Sequence, residues 1–204
     1  MKKLLIATTN PAKIEEIKYG LKNLKRQNIQ ILTLNDVEVE ETPEETGKTF
    51  EENSLLKAKF YSRKTSLLTL ADDGGLIIPY LNNEPGVKSR RWLGYEATDE
   101  ELINYTLKRL ANVSQDNRLA YLETCLTFYI SDNIYFQAKE KIKGYIAEKP
   151  SKKPTNGYPF RALFIVEKYN KYYDELTEKQ HQQINHRLKA LKKLIPNIKK
   201  FLLE

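Results

Sequence analysis

The feature that most constrains this chain is an apolar run interrupted by two adjacent carboxylates, Leu67-Leu68-Thr69-Leu70-Ala71-Asp72-Asp73-Gly74-Gly75-Leu76-Ile77-Ile78. Short apolar runs bounded by turn signals read as buried strands. The spacing predicts strands over 67–71 and 75–81, with Asp72-Asp73-Gly74-Gly75 between them. On that reading the aspartates end a strand at a sheet edge, and the glycines let a ligand come close. One carboxylate can then hold a metal while its neighbour orients or deprotonates a water. A plain Asp-Gly turn is the competing reading. The doubled aspartate favours chemistry.

Three other segments carry residues of compatible chemistry. Thr8-Thr9-Asn10-Pro11-Ala12-Lys13 stands where an apolar strand, residues 2–9, meets a helix predicted from Pro11 to about Arg26. Asn10 suits the N-cap and Pro11 the first helical position. The positive end of a helix, with Lys13 in its first turn, makes an anion site. From Asp36 to Glu52 there are eight carboxylates and one lysine, Lys48. Glu44 and Glu45, before Thr46-Gly47, are the candidates for Mg²⁺, which takes one or two carboxylates plus substrate phosphates. A helix predicted over 49–63 places Asn53 and Lys57 on one face. A last helix, predicted over 177–194, bears His181, Asn185, His186 and Arg187. The two histidines are five apart and share no face, which argues against zinc. His186 and Arg187 both donate hydrogen bonds, which suits a phosphate or a base.

The remaining pattern fills in an ordinary globular chain. Thr98 before Asp-Glu-Glu signals a helix start. Strands over 118–130 and 134–147 flank a turn at Ser131-Asp132-Asn133, and residues 162–167 read as another strand. Strands alternating with helices, then a long hairpin, predict a mixed sheet covered by helices. Of 204 residues, 40% are hydrophobic and 30% charged, and no apolar run is long enough to span a membrane. The first ten residues lack the apolar length of a signal peptide. The single cysteine, Cys125, reads as a core residue rather than a nucleophile. Together these features point to a cytoplasmic setting. The net charge of +7 lies in residues 150–204, which hold 12 Lys/Arg against 5 Asp/Glu; the rest balances at 22 against 22. Such an excess attracts polyanions, though most of these lysines read as a solvated helix face.

Taken in order, ATTNPAK, ETGKTFEENSLLKA, ADDGGL, EPGVKSRRW with EATDEEL, and NHRLKAL resemble the inosine triphosphate pyrophosphatase family over nearly the whole chain. The resemblance implies one domain over 1–204, a three-layer α/β fold with an elongated mixed sheet, flanking helices and two lobes around a cleft. It implies a homodimer, with no membrane and no nucleic-acid partner. The implied reaction is Mg²⁺-dependent hydrolysis of a nucleoside triphosphate to monophosphate and pyrophosphate, on deaminated purines such as inosine and xanthosine triphosphates, in nucleotide-pool sanitation. Carried over by position, Thr8, Thr9, Asn10 and Lys13 hold the triphosphate with Asn53 and Lys57. Glu44 and Asp73 ligate the metal. Asp73, with Asp72 beside it, accepts the proton of the attacking water. His186 and Arg187 contact the base. This chain departs from the family at Thr9, at Gly74, and in Gly157-Tyr158-Pro159-Phe160-Arg161-Ala162-Leu163-Phe164, where Arg161 replaces a base-facing aspartate. His181 replaces a lysine. The phosphate end is kept and the base end, Phe160, Arg161 and His181, is rewritten. The competing classes are a pyrophosphatase for a pyrimidine or modified nucleotide and a nucleotide- or nucleic-acid-binding protein without turnover.

Overall fold

A computed structural model describes residues 2–25 and 28–203. The chain divides into two compact units. The first comprises 1–73, 124–140 and 187–204, the second 74–123 and 141–186.

In the first unit the strand order is β2-β1-β3-β5-β6. β1 (Lys2–Ala7) pairs in parallel with β2 (Ile29–Thr33) on one side and with β3 (Leu68–Ile78) on the other. β5 (Leu119–Ser131) and β6 (Ile134–Ile146) form a hairpin across Asp132-Asn133. Alternation along a strand sends neighbours to opposite faces. Leu4, Ile6 and Leu70 therefore pack with Ile17, Leu21, Leu191 and Leu194, which come from α1 (Pro11–Gly20), the residue after it, and α6 (His186–Leu203). Leu5, Ala7 and Ala71 pack the other way, with Ala58 and Tyr61 of α3 (Phe50–Thr65). Helices thus cover both faces of the sheet here.

The predicted first helix is shorter than expected. α1 ends at Gly20 and is followed by α2 (Lys22–Lys25); Arg26 lies outside the described residues. A Cβ on Gly20 would come within 2.5 Å of Leu191 Cδ2, so glycine permits this contact with α6. α3 starts where the sequence indicates. Thr49 caps it by accepting from Glu52 N, and Ser66 ends it in the left-handed region.

The second unit carries the remaining lengths of β3, β5 and β6. β4 (Glu84–Pro85) pairs antiparallel with β3. β7 (Phe164–Val166) pairs antiparallel with β6, and β8 (Lys171–Tyr172) with β7. Its core gathers Leu76, Ile78, Leu102, Leu122, Ile142 and Phe164. α4 (Asp99–Arg109) opens with a full capping box between Thr98 and Glu101, as does α5 (Glu178–Ile184) between Thr177 and Gln180. Arg118 is buried and donates to the carbonyls of Leu110, Val113, Ile146 and Ala147. It satisfies the end of α4 and ties it to the end of β6.

Two expectations are corrected. The segment around Asp72-Asp73-Gly74-Gly75 is not a turn between two strands. It runs inside the single strand β3, which pairs with β1 as far as Ala71, with β4 at Ile77 and Ile78, and with β5 on its other side, so the aspartates lie within a continuous strand just past the end of β1. Gly75 answers a packing need instead. A Cβ there would lie 2.0 Å from Ser89 Oγ, which donates to Gly86 O and accepts from Leu76 N. The single helix expected over 177–194 is two helices, broken at Asn185, whose ψ of 112° is extended. α6 then continues past Pro196 to Leu203.

Candidate active site

Because Asp72 and Asp73 are successive residues of one central strand, their side chains leave opposite faces of the sheet. Each meets a different set of cations.

On the α1/α6 face, Asp72 is fully buried. Lys13 Nζ lies 2.6 Å from its Oδ2. Arg187 Nε donates to Oδ1 at 2.9 Å, and Thr124 Oγ1 donates to the same oxygen at 2.5 Å. Arg187 Nη1 reaches Glu16 Oε2 at 2.5 Å. Burial by itself would raise the Asp72 carboxyl. The charges of Arg187 and Lys13 and the hydrogen bonds overcome it and hold the group well below the usual carboxylate range.

On the α3 face, Asp73 Oδ1 accepts from Lys57 Nζ at 2.9 Å, and the same ammonium lies 2.8 Å from Glu45 Oε1. Burial raises the Asp73 carboxyl, and Lys57 and Lys13 do not offset it. Burial would lower Lys57, but the charges of Asp73 and Glu45 more than reverse that and raise it. Asp73 Oδ2 is buried with no hydrogen-bond partner.

The loop before α3 is pinned to bring Glu45 here. Asn53 Oδ1 accepts from Gly47 N at 2.8 Å, and Glu52 Oε2 accepts from Lys48 N at 2.6 Å. A Cβ on Gly47 would stand 2.5 Å from Asn53 Oδ1, so this approach requires glycine. Glu44, the carboxylate singled out from the sequence, is exposed; its neighbour Glu45 is the one on Lys57. Two adjacent glutamates look alike in a sequence, and only the strand of contacts from Gly47 to Asn53 separates them.

The start of α1 also differs from expectation in detail. Asn10 Oδ1 accepts from the N–H groups of both Ala12 and Lys13, so the cap itself takes two of the donors expected to face an anion. The cationic contribution of this segment is the Lys13 ammonium. Thr8 Oγ1 accepts from Asn10 N, and Thr9 is exposed.

Arg187 was expected at a base. It is buried on Asp72 and Glu16 instead, because a guanidinium in a dry interior needs carboxylate partners. Glu16 and Thr124 are the members of this cluster that the sequence reading missed. Glu16 had one available signal, its place three residues after Lys13 on one helix face.

The residues expected at the base end lie in the second unit. Arg161 is buried, its guanidinium carbon 3.4 Å from the centre of the Tyr158 ring and 4.4 Å from that of Tyr173. His181 meets Tyr173 edge-on at 5.3 Å, and its Nε2 is 3.3 Å from Asn185 Nδ2. Phe160 and His186 are buried, and Gly74 is half-buried. Burial raises the nearby Asp174 carboxyl, against hydrogen bonds from Thr155 and the charges of Arg161 and His181.

Fold and site together define an α/β protein with a buried carboxylate–ammonium centre in the middle of a mixed sheet. A model of the Ham1 family matches residues 4–197, and the chain belongs to that family. It is 38% identical over 192 residues to a dITP/XTP pyrophosphatase of Thermoanaerobacter pseudethanolicus, covering 94% of each chain. Among solved structures it is similar to a HAM1 protein from Coxiella burnetii, with a TM-score of 0.83 and 29% identity over 97% of this chain and 100% of that one. It is also similar to a nucleoside-triphosphatase, dITP/XTP pyrophosphatase, from Mycobacterium abscessus, with a TM-score of 0.75 and 32% identity over 95% and 99%. No helix among the described residues is long and apolar enough to cross a membrane.

Proposed function

We propose that this chain hydrolyses nucleoside triphosphates to the monophosphate and pyrophosphate with Mg²⁺, acting on deaminated purine nucleotides, and so removes them from the nucleotide pool. The observation that carries this reading is Asp73: a buried carboxylate with a raised proton affinity and one unpartnered oxygen, set beside Glu45, Lys57 and a second buried aspartate.

The residues fit a divalent ion. Lys13, Lys57 and Arg187 face Asp72, Asp73, Glu16 and Glu45, which leaves one net negative charge, and Asp73 Oδ2 has a free coordination position. Among the described residues no group of three or more His, Cys, Asp or Glu is arranged to hold a metal. Mg²⁺ binds through one or two carboxylates and completes its shell with water and phosphate oxygens. Glu45 and Asp73 would hold it; when bound it neutralises phosphate charge and polarises water. Lys57 would offer its ammonium to a phosphate oxygen beside Glu45 and Asp73, and Lys13 would do the same from the start of α1. Asp73 would take the proton of the attacking water.

Arg161 would set base preference. Its guanidinium only donates hydrogen bonds, so it suits the O6/N7 edge of 6-oxopurines and disfavours adenine, whose N6 donates there. Association into a homodimer is part of the same reading.

The test is product analysis over a panel of natural and deaminated triphosphates, with Mg²⁺ or with chelator. Pyrophosphate from inosine or xanthosine triphosphate, lost in chelator, is expected. Orthophosphate as first product, or no turnover of any triphosphate, would reject the reading.

A further inference from the structure

The resemblance sends Asn53 to the triphosphate, yet the fold buries it completely. Its Oδ1 accepts from Gly47 N at 2.8 Å, while its Nδ2 is buried with no hydrogen-bond partner. A buried amide donor left unsatisfied is costly, so the bond to Gly47 is what an asparagine supplies here.

That bond is in step with the ion pair one turn further along α3. Asn53 and Lys57 are four apart on the helix, a rise of about 6 Å. Gly47 and Glu45 are two apart in the loop, and two residues of extended chain advance about 6.6 Å. The loop therefore runs back along α3, with Gly47 on Asn53 and Glu45 Oε1 2.8 Å from Lys57 Nζ. The same ammonium lies 2.9 Å from Asp73 Oδ1. A second tie between loop and helix, from Lys48 N to Glu52 Oε2, is exposed; Asn53 acts from the interior. The approach is close: a Cβ on Gly47 would stand 2.5 Å from Asn53 Oδ1 and 2.8 Å from Glu52 Cβ.

We infer that Asn53 is a positioning residue for the metal seat. By holding the backbone at Gly47 it fixes Glu45 beside Asp73, so that two carboxylates from distant parts of the chain stand ready to share one ion. A carboxylate on an untethered loop must be ordered when it binds, and that cost lowers affinity. Asn53 acts through Glu45 and not by contact with substrate. The inference rests on the proposed metal role of Glu45 and Asp73.

The test uses the full chain, with Mn²⁺ as the probe because the free ion gives an electron paramagnetic resonance signal that binding removes. Asn53→Ala should weaken Mn²⁺ binding in the absence of nucleotide about 10–100-fold, the usual cost of removing a group that orients a metal ligand. Gly47→Ala breaks the same contact from the loop side without opening a cavity, and so stands in if Asn53→Ala does not fold. It should weaken binding similarly, and the double variant should add little, because both changes remove one interaction. In turnover assays the Mg²⁺ concentration for half-maximal rate should rise by the same factor in either variant, with KM for the triphosphate at saturating Mg²⁺ little changed. Unchanged Mn²⁺ binding in either folded variant overturns the inference, as does a wild type that binds no Mn²⁺. A raised KM with unchanged metal dependence would make Asn53 a substrate contact, and a lower Tm alone would make it a structural one; both overturn the inference. If the wild type binds Mn²⁺ but turns over no triphosphate, the proposed function fails, while the Mn²⁺ titrations still decide the role of Asn53.

Discussion

The two faces of the sheet at Asp72 and Asp73 treat chemically identical, adjacent side chains in opposite ways. Toward α1 and α6, Asp72 is saturated: both oxygens are engaged by Lys13, Arg187 and Thr124, and its carboxyl is driven down. Toward α3, Asp73 has one oxygen on Lys57 and one without a partner, and its carboxyl is driven up. Burial is common to both, so burial is not what distinguishes them. The number of cations and donors per oxygen is. A carboxylate surrounded by fixed donors is an anchor, and one left short of them is available to a metal or a proton.

The largest expected effect separates the two roles. Asp73→Asn should lower turnover about 10²–10⁴-fold, the usual contribution of a positioned acid–base group, with Tm little changed. Replacing Asp72 should do the reverse in emphasis. Asp72→Asn strands Arg187 and Lys13 beside a neutral amide, and removing one partner of a buried ion pair costs about 3–5 kcal/mol. Chemical denaturation and initial rates on both variants check this. Equal losses of stability in the two would break the comparison.

How much of this was legible in the sequence follows the range of the interaction. The cap at Asn10, the capping box at Thr98 and Glu101, the start of α3 and the β5–β6 hairpin depend on residues within a few positions of each other, and each stands where the local pattern put it. Asp72-Asp73-Gly74-Gly75 did not, because Asp-Gly is a turn signal locally. What keeps the strand running is remote: Arg187 lies 115 residues from Asp72, and Ser89 takes the space beside Gly75. The same distance explains Arg187, which the pattern sends to a ligand and the fold sends to Asp72. Asn185 breaks the last helix through its backbone, for which the sequence around it, rich in helix formers, offers no warning. That Glu45 and not Glu44 stands on Lys57 goes with a loop tethered by the hydrogen bonds from Gly47 to Asn53 and from Lys48 to Glu52, which no local pattern announces.

A smaller effect sharpens the comparison on the α3 face. Cys125 is buried beneath α3, and burial pushes its thiol up to about 11, against a hydrogen bond from Ser54. The thiolate is the reactive form, so Cys125 should alkylate far more slowly in native protein at pH 8 than in denaturant. Rapid native labelling would show that this face is wetter than its acids indicate.

The difference between the two aspartates is tested most directly by following their carboxyl carbons by ¹³C NMR through a pH titration of metal-free protein, with Asp72→Asn and Asp73→Asn supplying the assignments. The account predicts that Asp73 takes up its proton above the ordinary aspartate range of about 3.9, so that its base form is lost earlier than usual as pH falls. It predicts that Asp72 stays ionised below that range, so that its contribution to stability, present above an unfolded pKa of about 3.9, is lost only as pH falls through its lower folded value. Two carboxyls titrating together, or Asp72 titrating above Asp73, would contradict it.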